Sequence, residues 1–326
     1  SIYEMKAKAE LRRSDFAEVF SAMESVAKIQ SVKSSNAIEG IITTDKRIRD
    51  IVNKSTAPQG HNELEIAGYR DALDLIHGSY SEIPFSEKSI LELHRILLQP
   101  SGDDLAGRYK TEDNFIMETD REGVRSVRFT PVPASETAFA MEQLILAYHA
   151  AYSDAEINPL MLIPCVILDL LCIHPFRDGN GRMSRLLSLL LMYKSGFNAG
   201  KYVSIEEQIN TYKNYYYTSL QKSSERWHEN DNNYFPFIEN FLFNLKMSYF
   251  ELDSRFASLK DRKITKKQRI EEFITGSLLP VSKREICEKL PDISVTTVEV
   301  ELGRLLKSGE IEKIGNGRGT KYRCCH

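Results

Sequence analysis

Along most of this chain the apolar positions recur with a helical period. Phe16 through Val26 and Ile29 follow one such pattern, and Asn62 to Ile76 and Ser86 to Leu98 carry two more. Leu160 to Ile173 is apolar nearly throughout, and Leu186, Leu187, Leu190 and Leu191 place a second apolar segment up to Met192. Both read as buried helices. A further helix covers Phe235 to Phe250, and a tyrosine-rich one starts after Ser204. One region departs from this period. Arg108 to Met117 and Val124 to Thr130 are rich in Tyr, Phe, Val, Ile and Thr, and the turn-like Asp120-Arg121-Glu122-Gly123 separates them. The pattern predicts a β-hairpin closed by Pro131 and Pro133 in a mainly α chain.

The last sixty or so residues have their own order. Helices are predicted over Lys266 to Thr275, Ser282 to Leu290 and Ser294 to Lys307. Ser282 followed by Glu285 is a capping box, and Gly309 stops the third helix. Glu310 to Ile314 and Thr320 to Cys324 read as two strands around Gly315-Asn316-Gly317-Arg318-Gly319. This order resembles a winged helix-turn-helix.

The chemistry concentrates between the two apolar helices. His174-Pro175-Phe176-Arg177-Asp178-Gly179-Asn180-Gly181-Arg182 brings a histidine, a carboxylate, a glycine-rich turn and an arginine together. Gly179 and Gly181 permit positive φ and close ligand approach, and successive amides in such a turn form an anion nest. The following helix aims its free N–H groups at the same place. Arg182 and Arg185 suit a polyphosphate. Asp178 suits Mg²⁺, which takes few protein ligands. A neutral His174 can accept a hydroxyl proton near pH 7. Phe176 is expected to anchor the loop in the core.

This run resembles the Fic-family signature H-x-F-x-[D/E]-G-N-G-R-x-x-R. His174, Phe176, Asp178, Gly179, Asn180, Gly181, Arg182 and Arg185 fill every specified position. The resemblance implies a helical core with a β-hairpin flap, here followed by a small winged-helix domain. It implies transfer of AMP from ATP to a Ser, Thr or Tyr hydroxyl of a target protein, with auto-modification. In that scheme His174 is the general base and Asp178 holds Mg²⁺. Gly179, Asn180, Gly181, Arg182 and Arg185 hold phosphates, with Arg185 on the γ-phosphate. Gly179 stands where Doc-like kinases of the superfamily typically carry Lys. Tyr216-Tyr217-x-x-Leu220 resembles an element that lines the nucleotide site, and Ile116 is the flap side chain expected over the adenosine. Ser224 replaces an asparagine that contacts the base in some members.

Ser34-Ser35-Asn36-Ala37-Ile38-Glu39-Gly40 reads by itself as a helix end with a glycine cap. Beside the signature it resembles the family's inhibitory motif [S/T]-x-x-x-E-[G/N], with Ser35, Glu39 and Gly40 in place. A Glu39 carboxylate paired with Arg185 would occupy the guanidinium needed for the γ-phosphate.

A content of 42% hydrophobic and 27% charged residues allows a sizeable core, and a formal net charge of −3 gives the whole chain no bias toward nucleic acid or membrane. No apolar run reaches membrane-span length. Five cysteines, an odd number, and no signal-peptide pattern predict a cytoplasmic protein. The expected division is an N-terminal helical region over 1–95 with the inhibitory motif, a catalytic core over 96–250, a linker over 251–262 and the winged helix over 263–326. That last segment carries 13 Lys and Arg against 9 Asp and Glu. Arg318, Lys321 and Arg323 fit a basic wing, whereas Glu299 and Glu301 on the third helix oppose base reading. Two readings therefore stand beside the braked transferase: a nucleotide-sensing DNA-binding regulator using 263–326, and a phosphodiesterase that removes AMP at the same site. A homodimer is expected from the family resemblance.

Overall fold

The computed structural model describes residues 1–119, 123–257, 266–275, 277 and 279–325. In chain order the elements are α1 (Ile2–Asp15), α2 (Ala17–Ile38), α3 (Asp45–Val52), α4 (Gly60–Ser79), α5 (Glu87–Leu98), β1 (Ile116–Thr119), β2 (Arg125–Phe129), α6 (Ala134–Tyr152), α7 (Pro159–Ile173), α8 (Asn180–Lys194), α9 (Ile205–Thr211), α10 (Lys213–Ser224), α11 (Phe235–Ala257), α12 (Lys266–Thr275), β3 (Val281–Ser282), α13 (Lys283–Lys289), α14 (Val295–Ser308), β4 (Ile311–Ile314) and β5 (Lys321–Cys324). Two compact units result, residues 28–246 and residues 1–27 with 247–326.

In the larger unit α7 and α8 form the centre. Ile163, Leu168, Leu186, Leu187, Leu190 and Leu191 are buried all round, as their unbroken apolar runs require. Asn158 caps α7 through Leu160 N, and Pro159 occupies the first helical position, where its missing N–H is harmless. Helices α4 and α5 pack so closely that a Cβ on Gly68 would lie 2.0 Å from the Leu97 carbonyl oxygen. The helices over 28–98 thus belong to the same compact unit as the segment expected to be the catalytic core.

The hairpin is present but shorter than its sequence pattern predicts. The first strand begins at Ile116, not Arg108. Lys110 N instead donates to Pro175 O, and the Lys110 and Asn114 side chains tie residues 110–114 to Ile173 and Phe176, away from the second strand. The predicted turn at 120–122 lies outside the described residues. Helix α11 also continues to Ala257, past the predicted end at Phe250, because Leu252 and Phe256 extend its apolar face. The expected boundary near 263 lies outside the described residues.

In the smaller unit, Phe20 packs against Phe256 with ring centroids 4.9 Å apart. Lys8 and Arg12 both pair with Asp253. Helices α12, α13 and α14 follow the predicted order, with the Ser282–Glu285 capping box and a left-handed Gly309 in place. The sheet has the order β3-β5-β4, and its first strand, Val281–Ser282, carries no sequence signal of its own. Ile270, Ile286, Val298, Leu302, Leu305 and Ile311 form its core.

Candidate active site

Helix α7 ends on His174, whose backbone is left-handed at φ +52°, and its N–H still bonds Leu170 O. This turn directs the chain into the signature loop. His174 Nδ1 lies 3.3 Å from Leu171 O, so Nδ1 carries the proton and Nε2 keeps its lone pair. Burial pushes the His174 pKa down to about 4, with the Lys110 and Arg128 charges acting in the same direction. The ring is therefore neutral at physiological pH.

The loop is held by side chains from outside it. Phe176 is fully buried and stacks on His94 at 3.7 Å between centroids and 9° between planes. His94 Nδ1 accepts from Gly107 N at 3.0 Å, so Nε2 bears the hydrogen and donates to Asp178 O at 3.1 Å. Burial lowers the His94 pKa to about 4, which keeps this neutral tautomer in place. Lys110 Nζ donates to Ile173 O and to Asn114 Oδ1, and Asn114 Nδ2 donates to Phe176 O. Nothing in the local sequence around His94 signals this role.

Three polar residues of the signature, Asp178, Asn180 and Arg182, bond within or beside the loop and do not line the neighbouring cavity. Asn180 is buried, and its amide bonds both the N–H and the carbonyl of Phe176. Its side chain braces the loop by closing on the Phe176 backbone. Arg182 points away from the cavity. It is 1% exposed, ion-paired to Glu65 at 2.5 Å and to Asp178 at 3.2 Å, and does not line the cavity. Asp178 is largely exposed, and its Oδ1 accepts from Gly179 N at 2.6 Å. Among the described residues no group of three or more His, Cys, Asp and Glu side chains could hold a metal.

The cavity has a volume of about 180 Å³. His174, Gly181 and Arg185 line one part, and Leu171, Cys172, Tyr216, Tyr217, Leu220 and Ser224 another; Ile116, Arg128 and Phe129 reach it from the hairpin. Burial raises the Tyr217 pKa to about 12 and that of Tyr216 as well, so both phenols stay protonated. Gly179, with φ +81°, precedes α8, whose N-terminus faces this cavity through Gly181.

Arg185 does not reach into the cavity freely. Its Nε donates to Ser35 Oγ at 2.8 Å, and its Nη2 donates to Ser35 O at 3.0 Å and to Glu39 Oε1 at 2.7 Å. Glu39 also covers the helix end, since a Cβ on residue 181 would lie 2.2 Å from Glu39 Oε1. One carboxylate thus occupies both a guanidinium and the positive end of α8, the place where an anion would bind. Gly40, at φ +79°, turns the chain out of α2, and Lys213 Nζ caps the helix on Ile38 O at 2.8 Å. One turn before Ser35, Ser31 Oγ donates to the buried Glu206 at 2.7 Å, and Tyr69 and Ser204 donate to the same carboxylate at 3.0 and 3.2 Å. Ser31, Ser35 and Glu39 recur every fourth residue, a stripe legible in the sequence but unread there because Ser31 falls outside the motif.

Residues 84–192 match the Fic/DOC family model. This stretch of the chain is similar to the Fic/DOC family. Curated relatives agree with this. A protein adenylyltransferase Fic of Nematostella vectensis is 31% identical over 179 residues, 52% of this chain. Protein adenylyltransferase fic-1 of Caenorhabditis elegans is 30% identical over 194 residues, 57% of this chain. This chain spans less than half the length of these relatives, 39% of the first and 33% of the second. In fold it resembles a Fic family protein from Desulfovibrio desulfuricans G20, with a TM-score of 0.61, 19% identity and coverage of 99% of this chain and 94% of that one. It also resembles Fic-1 (aa134 - 508) from C. elegans, with a TM-score of 0.57, 22% identity and coverage of 79% and 73%. The described residues of this chain are mostly helical, as the sequence pattern predicts. No helix among the described residues is long and apolar enough to cross a membrane.

Proposed function

We propose that this Fic-like domain transfers AMP from ATP to a protein hydroxyl and is held off by Glu39. The observation that carries the reading is the bonding of Arg185 to Ser35 and Glu39 within the cavity that His174 and Gly181 line. In the active form the hydroxyl oxygen attacks the α-phosphorus of ATP. The new O–P bond forms as the bond to the β-phosphate oxygen breaks, and pyrophosphate leaves. His174 Nε2 takes the hydroxyl proton, for which its neutral ring and fixed tautomer are suited. Amides of the Gly179–Gly181 turn and the α8 N-terminus stabilise the phosphate charge. Tyr216, Tyr217 and Ser224 line the base and ribose part, and Ile116 covers it.

The donor set fits Mg²⁺. Asp178 offers a single, exposed carboxylate, and Mg²⁺ fills most of its shell with phosphate oxygens and water. When bound, the ion would neutralise phosphate charge, and Asp178 would hold it. Removal of AMP from a modified protein would use the same residues, with Glu39 orienting a water. For residues 266–325 we propose a winged helix-turn-helix. Pairing of Arg323 with Glu312, Lys283 with Glu299 and Arg304 with Glu301 leaves this segment a weak case for DNA. A cytoplasmic location, supported by the free cysteines, and a homodimer, supported by the family resemblance, belong to the same proposal.

The test is incubation with Mg²⁺ and α-³²P-ATP of the intact chain, Glu39→Gly, and Glu39→Gly combined with His174→Ala. Label should appear on, or be much stronger with, Glu39→Gly alone. Equal labelling of the intact chain and Glu39→Gly would refute the brake, and labelling that survives His174→Ala would refute the assigned base.

A further inference from the structure

The hairpin pairs Ile116 with Phe129 and Met117 with Val127, so Arg128 is an extra residue opposite no partner. That is a β-bulge. A regular strand sends neighbouring side chains to opposite faces. The bulge breaks the alternation, and both Arg128 and Phe129 line the cavity while Val127 stays exposed. Phe129 is fixed by His228, whose ring lies parallel to it at 5.5 Å and whose Nε2 bonds Thr130 O at 2.7 Å. The base of the second strand therefore has a defined orientation.

The charges lining the cavity are few. Glu39 and Arg185 bond each other, and His174 is neutral. Arg128 is the remaining cation, half-buried, with no hydrogen bond or ion pair among the described residues. Its charge reaches across the cavity and favours the deprotonated forms of His174, Cys172, Tyr216 and Tyr217. A guanidinium re-aimed by a bulge into a largely apolar cavity is poorly solvated there and lacks an anion.

We infer that Arg128 is a binding residue for the phosphates of a nucleoside polyphosphate, and the cation available to them while Glu39 holds Arg185. The inference rests on the nucleotide reading proposed above. It explains how a braked site can still hold its nucleotide: Arg185 is occupied, and Arg128 supplies the counter-charge from the opposite wall. A contact to the base or to the incoming protein would not depend on the phosphates, which is what separates these roles.

The experiment is calorimetric titration of ATP, AMP and adenosine into the intact chain and into Arg128→Met, which keeps the apolar stem. Arg128→Lys serves as a second variant with the charge retained. Loss of a charge-assisted contact should weaken ATP about tenfold or more, with adenosine unchanged within about twofold. Arg128→Lys should recover part of the loss. Equal weakening of ATP and adenosine would overturn the inference in favour of a packing or base-contacting role. Unchanged ATP affinity in Arg128→Met would overturn it outright. If the intact chain binds neither ATP nor adenosine, the nucleotide reading fails, and the inference fails with it.

Discussion

Ser31→Ala should release the brake without touching the cavity. Ser31 and Glu206 are both essentially inaccessible, and the hydroxyl donates to the carboxylate at 2.7 Å. Glu206 receives two further donors, Tyr69 and Ser204, neither of which belongs to α2. The Ser31 bond is thus the one of the three that depends on α2 lying in its inhibitory place. A hydrogen bond to a buried charge is worth roughly 1.5–3 kcal/mol. If the released state of α2 lacks it, the mutation moves the equilibrium by that amount, roughly ten- to a hundredfold in the released fraction. The assay is the initial rate of labelling from α-³²P-ATP for Ser31→Ala, Glu39→Gly and the double variant. We expect Ser31→Ala to raise the rate, to no higher than that of Glu39→Gly, and to add nothing in the double variant. Such non-additivity is the mark of two residues acting through one element. An equal change in both backgrounds would refute the reasoning, since Ser31 would then act on the fold or on catalysis. No change in either would show that α2 is held without this bond.

Other outcomes follow from the same geometry. His94→Leu removes both bonds that join Gly107 and Asp178 through the ring, so labelling by the Glu39→Gly form should fall at least about tenfold, checked beside an intact melting transition. Gly68→Ala should destabilise the protein by roughly 1–3 kcal/mol or more in urea titration, because its Cβ meets backbone atoms of Leu97 that cannot yield. Burial lowers the pKa of His77 to about 3 and those of His94 and His174 to about 4. The unfolded chain therefore binds more protons below about pH 6.5. Stability from these neutral histidines is full above that pH and lost as pH falls toward 4, so the urea midpoint should drop over that interval; a flat midpoint there would contradict the assignment.

Much of the architecture was legible because it rests on local rules. The third-residue capping box at Ser282 and the left-handed glycine at Gly309 each act within one turn of helix, and the continuous apolar run of α7 lies within a single element. The predicted first strand failed where a non-local tether intervened: Lys110 and Asn114 bond the signature loop and hold residues 110–114 out of the hairpin. His94 and Glu65 were invisible for the same reason. Each lies on an ordinary helical pattern, and only packing against the signature loop gives either of them a partner from it.

The sequence by itself determined which chemical groups sit together, since His174 to Arg185 is one uninterrupted stretch joining two buried helices. It also determined that Glu39 ends a helix, through Gly40. What only the tertiary structure decided is which of those groups face the cavity. Arg182 and Arg185 lie three residues apart, about 60° around the helix, so small differences in packing send them to different neighbours. Arg182 meets Glu65 on α4, and Arg185 meets Ser35 and Glu39 at the end of α2. Arg128 depended on strand register, which a single bulged residue reverses, and no local pattern encodes that register. Partners far apart in the chain are chosen by the packing of whole elements, and that choice is not written in either partner alone.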